Sequence, residues 1–216
     1  EPDRVRFLVD TPQETLPVTV PIPGRFTVYN ALGALACCYD LGIPLAKAIQ
    51  ALEKVPPVKG RLEVVPVPAP YTVVIDYAHT PDALEQVLAD ARRVTQGRLL
   101  CLFGCGGDRD KTKRPVMGEI AASLSDLVIL TSDNPRTEDP EAILDQVAAG
   151  FPRGFADYHR EPDRRAAIAL ALSLGRAGDV ILLAGKGHET YQEIGKNRLP
   201  LDEREEIASF FQKSKV

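Results

Sequence analysis

Features that identify several common classes of protein are missing from this 216-residue sequence. No apolar run approaches the roughly 20 residues that a membrane-spanning helix needs, and the first residues lack the pattern of a signal or transit peptide. The four cysteines and three histidines do not have zinc-ligand spacing, so we expect reduced, buried thiols and no structural metal site. A net charge of −4 argues against nucleic-acid or membrane partners. These features favour a cytoplasmic protein.

Two nucleotide-binding motifs are also missing. The stretch GCGGDRD at residues 104–110 begins like the dinucleotide fingerprint G-x-G-x-x-G, but the third glycine position is Arg109. No G-x-x-x-x-G-K-[ST] loop occurs in the chain. The sequence therefore gives no direct sign of a nucleotide phosphate cradle of either type.

A change in the order of the predicted strands and helices near residue 58 predicts two domains. Before it, two short extended stretches interrupted by prolines predict edge strands or a hairpin, and helices are predicted over residues 26–39 and 44–54. The stretch VPPVKGR, residues 55–61, predicts a helix-free linker. We expect one domain over residues 1–58 and a second over residues 59–216.

After the linker, continuous apolar runs alternate with helical stretches. The predicted strands cover residues 72–77, 98–104, 126–131 and 179–185, and the predicted helices cover residues 81–93, 113–123, 140–149 and 162–174. Apolar runs without polar alternation are typical of parallel strands buried on both faces. The pattern predicts a doubly wound α/β fold, with helices on both faces of a mostly parallel sheet. Ligands of such folds bind beyond the carboxyl ends of the strands.

Charged loops follow the predicted strands: DYAHTPD, GCGGDRDKTKRP, TSDNPRTEDP and GKGHET. In the first, Thr80 and Pro81 predict a helix start, which leaves Asp76 and His79 unexplained. The second is most simply a glycine-rich turn, although its charges favour an anion site at a helix start. In the fourth, Glu189 is suited to hold an ammonium group.

The loop TSDNPRTEDP combines a carboxylate, an amide and a guanidinium with two prolines. Asp139 and Pro140 predict a helix start, so the second proline is structural. Pro135 restricts Asn134 to extended geometry, which leaves Arg136 on a loop with little freedom. Such an arginine is suited to bind a carboxylate through two parallel hydrogen bonds. The simpler alternative for an isolated arginine is a surface salt bridge.

Taken together, the motifs GRFTVYNALGA, GRLEVV, VIDYAHTPDAL, GCGGDRDKTKRPVMG, TSDNPRTEDP and GKGHETYQ resemble the Mur ligase family of peptidoglycan synthesis. The resemblance covers nearly the whole chain and is strongest to the members that add meso-diaminopimelate. It implies that residues 1–58 are the end of a central ATPase domain. Residues 59–216 would be a Rossmann-like, amino-acid-binding C-terminal domain. The family's Walker-type loop and its modified lysine near magnesium are expected upstream of this chain.

The resemblance also implies which residues bind which ligand. The implied diaminopimelate-binding residues are Arg109, Asp133, Asn134, Pro135, Arg136, Gly185 and Glu189. Within this set, the carboxylate end is assigned to Arg109, Asn134 and Arg136, and the ammonium group to Gly185 and Glu189. The implied ATP-binding residues are Asn30 near the adenine, Arg61 on the phosphates, and Asp76 and His79 near the ribose. No catalytic residue or metal ligand is implied within this chain.

The implied reaction is ATP-dependent amide bond formation that joins meso-diaminopimelate to UDP-MurNAc-L-Ala-D-Glu through an acyl phosphate. ATP and Mg²⁺ are the implied cofactors, bound mainly by the upstream part, and the chain alone is expected to be an inactive monomer. A related ligase that uses L-lysine or L-ornithine stays open as an alternative, as does a ligase similar to folylpolyglutamate synthase. From another class, a non-catalytic amino-acid- or nucleotide-binding module also stays open.

Overall fold

The chain begins with a β-hairpin followed by two helices. The computed structural model describes residues 4–213, and the chain divides into two units, Glu1–Val58 and Lys59–Val216. The first unit contains the antiparallel strands β1 (Val5–Asp10) and β2 (Thr15–Val20) and the helices α1 (Arg25–Asp40) and α2 (Leu45–Leu52). The predicted hairpin, both helices and the helix-free stretch after them are confirmed.

The first unit has a small apolar core of its own. Val18 and Val20 of β2 are buried there together with Ala31 and Leu35 of α1 and Ile49 of α2. The two α1 residues are four positions apart, which places them on one stripe of the helix. This packing explains why a short hairpin and two helices form a unit.

The second unit is built on one six-stranded sheet. Its strands are β3 (Glu63–Val65), β4 (Thr72–Asp76), β5 (Leu99–Phe103), β6 (Leu127–Leu130), β7 (Tyr158–Arg160) and β8 (Val180–Ala184). The strand order is β3-β4-β8-β5-β6-β7, and only β3 runs antiparallel to its neighbour. The predicted mostly parallel sheet is confirmed.

Five helices cover the two faces of this sheet. They are α3 (Pro81–Val94), α4 (Lys113–Leu124), α5 (Pro140–Ala148), α6 (Arg164–Leu174) and α7 (Glu203–Lys213). Cys101 and Phe103 of β5 pack in the same core as α3, α4 and α5, whereas Leu100 and Leu102 pack in the core with α6 and α7. Alternate residues of one strand therefore face opposite layers, as expected for a strand buried on both sides.

Two predicted helix starts are confirmed at the carboxyl edge of the sheet. The Thr80 side chain accepts a hydrogen bond from Ala83 N at 3.3 Å, and Pro81 is the first residue of α3. Asp139 Oδ1 accepts from Glu141 N at 3.1 Å, and α5 begins with Pro140. Each cap satisfies a main-chain donor that the first turn of a helix leaves unpaired.

Several elements were not predicted from the sequence: β3, β7, α7 and a second hairpin formed by β9 (Tyr191–Ile194) and β10 (Asn197–Pro200). The expectation of buried thiols holds for Cys101 and Cys105, where burial raises the pKa of each thiol to about 12. It is wrong for Cys37, which is exposed because it lies off the buried stripe of α1. Within residues 4–213, no helix has the length and apolar character of a membrane span.

Candidate functional site

The loops after β5 and β6 are joined by direct contacts at the carboxyl edge of the sheet. Gly107 N donates a hydrogen bond to the Asn134 carbonyl oxygen at 2.8 Å. The Asp108 carboxylate accepts hydrogen bonds from Thr137 N at 3.1 Å and from Thr137 Oγ1 at 2.8 Å. The two loops therefore form one continuous surface at the edge where ligands of this fold bind.

A buried polar cluster connects the loop after β6 with the loop after β8. Lys186 is fully buried, and its Nζ donates to Asn134 Oδ1 at 2.6 Å and to Glu189 Oε2 at 3.0 Å. Asn134 Nδ2 donates to the same Glu189 oxygen at 3.0 Å. Glu189 keeps 14% of its side chain exposed, and its Oε1 accepts no hydrogen bond from residues 4–213. The cluster thus fixes one carboxylate oxygen and leaves the other available to a donor.

Asp133 lies beside this cluster with one unpaired carboxylate oxygen. Its Oδ1 accepts from Asn134 N at 2.7 Å, whereas its Oδ2 is buried and has no hydrogen-bond partner among the described residues. That oxygen lies 3.0 Å from the position that a Cβ would take on Gly185, where φ is +110°. A buried acceptor without a donor costs free energy of folding. A ligand ammonium group near Gly185 would give Asp133 Oδ2 the donor that it lacks.

Arg136 is held in an unusual main-chain conformation next to β9. Its φ is +52°, and its main-chain N donates to the Glu193 carbonyl oxygen at 3.0 Å. The Nη1 atom donates to the Gly107 carbonyl oxygen at 2.8 Å, and Nε lies 3.0 Å from Glu193 Oε2. Nη2 donates no hydrogen bond to the described residues. The guanidinium is therefore held in place while part of its donor set stays unused.

Arg109 lies next to Arg136 across a glycine. A Cβ built on Gly106 would lie 3.0 Å from Arg136 Nη1 and 4.0 Å from Arg109 Cγ. Arg109 is exposed, and its Nη1 donates to the Asp108 carbonyl oxygen at 2.9 Å. The structure thus brings the two predicted carboxylate-binding arginines together on the surface of one loop pair.

A third ion pair, more buried than that of Arg136 with Glu193, connects the loops after β5 and β6 to α4. Arg114 is fully buried and donates through Nη1 and Nη2 to the two carboxylate oxygens of Glu138, each at 3.0 Å. Hydrogen bonds from Arg114, and then from Lys111, lower the pKa of Glu138 from 4.5 to about 2. Glu138 Oε1 also accepts from Asp108 N. This carboxylate therefore stays ionised and ties both loops to α4.

A fourth arginine, Arg164, contacts the ends of two strands directly. Arg164 is buried at the start of α6, and its Nη2 donates to the Ala184 carbonyl oxygen at 3.0 Å. Its Nη1 lies 3.4 Å from the Ser132 carbonyl oxygen. Glu203, also fully buried, accepts from Nε and Nη2 of Arg164 at 3.0 and 2.8 Å. Arg164 therefore holds the chain immediately before Asp133 and immediately before Gly185.

A separate group of rings surrounds Tyr77 after β4. The Arg61 guanidinium carbon lies 5.0 Å from the centre of the Tyr77 ring, within the range of a cation–π contact. The rings of His79 and His188 lie 4.6 and 4.9 Å from the same ring. Arg61 and His79 are exposed, so a cation and an imidazole face solvent beside an aromatic ring.

The other two predicted ATP-binding residues are placed differently. Asp76 is 7% exposed, and its two carboxylate oxygens accept from Leu62 N at 2.7 Å and from Ala78 N at 2.8 Å. Burial raises the pKa of Asp76, while these two hydrogen bonds oppose the rise. Its observed contacts hold the loop, and its role toward a ribose stays a prediction. Asn30 lies exposed on α1 in the first unit.

Lys186, Glu193 and Arg164 are among the residues of the site that were not singled out as site residues from the sequence. Lys186 stood within the motif GKGHET, yet nothing in the sequence showed that its ammonium group is buried against Asn134. Glu193 belongs to the unpredicted hairpin. Arg164 lies in the first turn of a helix, where an arginine is ordinarily solvated, and its buried partner Glu203 is 39 positions later.

Comparison with known proteins agrees with this architecture. The family model described as "Mur ligase, glutamate ligase domain" matches residues 60–187. A UDP-N-acetylmuramoyl-L-alanyl-D-glutamate–2,6-diaminopimelate ligase of Clostridioides difficile (strain 630) is 47% identical over 203 residues, which are 94% of this chain and 42% of the relative. The chain thus spans about two-fifths of the length of the curated relatives that it matches.

Solved structures show the same relationship. The structure of a UDP-N-acetylmuramoyl-L-alanyl-D-glutamate–2,6-diaminopimelate ligase is 39% identical with a TM-score of 0.72, and the match covers 98% of this chain and 43% of that one. Mycobacterium tuberculosis folylpolyglutamate synthase is 20% identical with a TM-score of 0.62, and the match covers 84% of this chain and 44% of that one. At that identity, the likeness extends to the fold alone.

The six-stranded, mostly parallel sheet with helices on both faces defines the second unit as a doubly wound α/β domain. The match over residues 60–187 makes the assignment specific. The chain belongs to the Mur ligase family, and it carries that family's glutamate ligase domain.

Proposed function

We propose that this chain supplies the amino-acid-binding part of an ATP-dependent ligase that joins meso-diaminopimelate to UDP-MurNAc-L-Ala-D-Glu in peptidoglycan synthesis. The observation that supports it most is that an unused cationic donor and two unpaired carboxylate oxygens lie in neighbouring loops at the carboxyl ends of the strands. Arg136 offers an unused guanidinium nitrogen, while Asp133 Oδ2 and Glu189 Oε1 lack donors among the described residues. A carboxylate and an ammonium group on one carbon would complement both sets.

In this proposal the two units belong to different parts of the ligase. The first unit, Glu1–Val58, would be the end of the central ATPase domain, and the second unit, Lys59–Val216, the C-terminal domain. The relatives support the assignment, because the matched region is about two-fifths of their length. The phosphate-binding loop would then lie in a preceding segment.

The second unit would act by holding and orienting the diamino acid. Asn134, Arg136 and Arg109 would bind the distal carboxylate, and Gly185 and Glu189 would bind the distal ammonium group, with Asp133 beside them. Pro135 is buried between Asn134 and Arg136 and would fix their relative direction. Fixing the distal end directs the other amino group toward the acceptor. Such positioning lowers the barrier because the amine gives up its rotational and translational freedom on binding, before the reaction.

ATP and Mg²⁺ are the proposed cofactors. When bound, ATP would supply the phosphoryl group that activates the γ-carboxylate of the D-glutamate residue for attack by the amine. The exposed Arg61 guanidinium beside Tyr77 fits a phosphate, and the exposed His79 fits a ribose hydroxyl. Asn30 and Asp76 complete the proposed ATP-binding set. No group of three or more His, Cys, Asp or Glu side chains that could hold a metal ion occurs within residues 4–213; we propose that Mg²⁺ is bound mainly upstream.

The alternative functions differ in whether the ligand has a distal carboxylate that Arg136 could bind. L-lysine and L-ornithine have no distal carboxylate, so a ligase for either would need Glu189 for the ammonium group but would have no ligand carboxylate for Arg136 to bind. A folylpolyglutamate-type ligase shares the fold, as the solved structure illustrates, but its likeness supplies no site. A non-catalytic binding module would keep the amino-acid site without the reaction.

We further propose a cytoplasmic monomer with small-molecule substrates and without nucleic-acid or membrane partners.

Isothermal titration calorimetry of this protein tests the proposal. We expect wild-type protein to bind meso-diaminopimelate more tightly than L-lysine. Arg136→Ala should weaken meso-diaminopimelate binding by about 2 kcal/mol, or roughly thirtyfold, because a charged hydrogen-bonded partner is lost. Binding of L-lysine should change by less than about twofold, because the lost contact does not involve it.

A matched control is Arg153→Ala, which removes an exposed arginine from the segment before β7. This segment leads into the amino end of β7, whereas the proposed site lies at the carboxyl ends of the strands. Arg153→Ala should leave both affinities unchanged. If Arg136→Ala weakened both ligands equally, Arg136 would be a structural residue and the assignment of diaminopimelate would fail.

A further inference from the structure

Glu193 places a carboxylate of the protein itself against the guanidinium that the ligand would need. It lies on β9, and its Oε2 is 3.0 Å from Arg136 Nε. Its side chain is 33% exposed and that of Arg136 is 23% exposed, so the pair lies at the rim of the site. This ion pair is the one that Glu193 makes among residues 4–213.

The main chain fixes this carboxylate in the site. Glu193 N donates to Asn134 Oδ1 at 2.9 Å, and Glu193 O accepts from Arg136 N at 3.0 Å. Its cross-strand partner Arg198 forms no ion pair with it among the described residues; the carbon of the Arg198 guanidinium lies 3.3 Å from the centre of the Tyr191 ring. These two hydrogen bonds hold the main chain of Glu193 in place, so its side chain extends from a fixed Cα next to Arg136.

Two cations of the site, Lys186 and Arg136, are each matched by a carboxylate of the protein. Buried Lys186 is paired with Glu189, and Arg136 is paired with Glu193. Arg136 Nη1 already donates to Gly107, and Nη2 is unpaired among the described residues. A ligand carboxylate that binds the Nε and Nη2 edge with two hydrogen bonds must take the place of Glu193.

We propose that Glu193 is a specificity-determining residue that acts as a resident counter-ion of Arg136 and competes with the distal carboxylate of the ligand. This inference rests on the proposed function, since it requires that Arg136 bind that carboxylate. Glu193 has the opposite effect on a ligand that ends in an ammonium group alone, because a further negative charge attracts it. Glu193 thus reduces the discrimination between meso-diaminopimelate and L-lysine.

Glu193→Gln tests the idea with little change of shape, since the side chain keeps its length and the main-chain bonds to Asn134 and Arg136 are untouched. A partly exposed ion pair contributes little, so meso-diaminopimelate should bind about two- to fivefold more tightly to the variant. L-lysine should bind equally or more weakly, and the preference for meso-diaminopimelate should rise. Calorimetry with both amino acids measures all four affinities.

The matched control is Glu119→Gln, an identical change of charge on the exposed side of α4. It should leave both affinities unchanged. Glu193→Ala is a second variant and should shift the preference in the same direction. Circular dichroism verifies that each variant is folded. Unfolding of both Glu193 variants would identify a structural residue and overturn the proposal.

The two possible failures have different signatures. If Arg136→Ala weakens only meso-diaminopimelate but Glu193→Gln leaves its affinity unchanged or lowers it, the competition proposal is overturned and the proposed function stands. Equal changes for the two ligands in Glu193→Gln also overturn it. If wild-type protein does not bind meso-diaminopimelate, or binds it independently of Arg136, the proposed function and this inference fail together.

Discussion

Removal of one partner from the buried ion pair between Arg164 and Glu203 should strongly destabilise the second unit. Both side chains are 0% exposed, and Glu203 Oε1 receives two hydrogen bonds from Arg164 while Oε2 has no partner among the described residues. Arg164→Met would leave a buried carboxylate without a counter-charge and two carbonyl groups without their donor. Breaking such a pair costs about 3–5 kcal/mol. For a unit of this size, the expected loss in Tm is about 6–20 °C.

Thermal and urea unfolding followed by circular dichroism measure this loss. The neighbouring Arg165→Met is a matched control, because Arg165 pairs with Glu206 across the same two helices but is 49% exposed. Its cost should be below about 1 kcal/mol. The double variant Arg164→Met/Glu203→Leu should recover most of the stability, since no buried charge remains.

The loss should also depend on pH in a defined direction. Burial raises the pKa of Glu203, and removal of Arg164 takes away the attraction that opposes this rise. At acidic pH the carboxyl group can be protonated in the folded variant, so the destabilisation should shrink as the pH falls. A loss from Arg164→Met no larger than that from Arg165→Met, or no recovery in the double variant, would refute this reasoning.

Three further outcomes are expected. Glu138→Gln should destabilise the protein near neutral pH and lose that effect as the pH falls from 4.5 to about 2, because the lowered pKa of Glu138 stabilises the fold only while the carboxylate is ionised; urea unfolding at several pH values checks it. Gly118→Ala should cost about 1–3 kcal/mol, because its Cβ would lie 2.1 Å from the Val147 carbonyl oxygen; a cost near zero would contradict it. The chain alone should release no phosphate from ATP, because it has no Walker A loop; turnover that persists through further purification would contradict it.

The sheet could be predicted from the sequence because its central strands are apolar throughout. β5 and β8 are buried at every position, so their residues give an uninterrupted signal. The edge strand β7 has three exposed residues, Tyr158, His159 and Arg160, and carries no such signal. β3 has three residues and a partly exposed pattern. The unpredicted strands are therefore those whose pairing depends on a neighbour that the local sequence does not specify.

The candidate site shows the same division. Loop chemistry drew attention to Arg136 and Glu189, because prolines, glycines and charges concentrate after the strands, whereas the role of Asn134 came from the resemblance to the Mur ligases. The contacts of Arg136 with Glu193 could not be predicted, because they require the β9–β10 hairpin to return against the loop after β6. The burial of Lys186 depends on the packing of that same hairpin, since Tyr191 lies 5.4 Å from its ammonium group.

A crystal structure of this protein with meso-diaminopimelate tests the central claim most directly. We predict that the distal carboxylate lies within hydrogen-bonding distance of Arg136, in place of Glu193, and that the distal ammonium group contacts Glu189 Oε1 and Asp133 Oδ2. A ligand bound away from the loops after β6 and β8 would contradict the account. So would a ligand whose distal carboxylate makes no contact with Arg136.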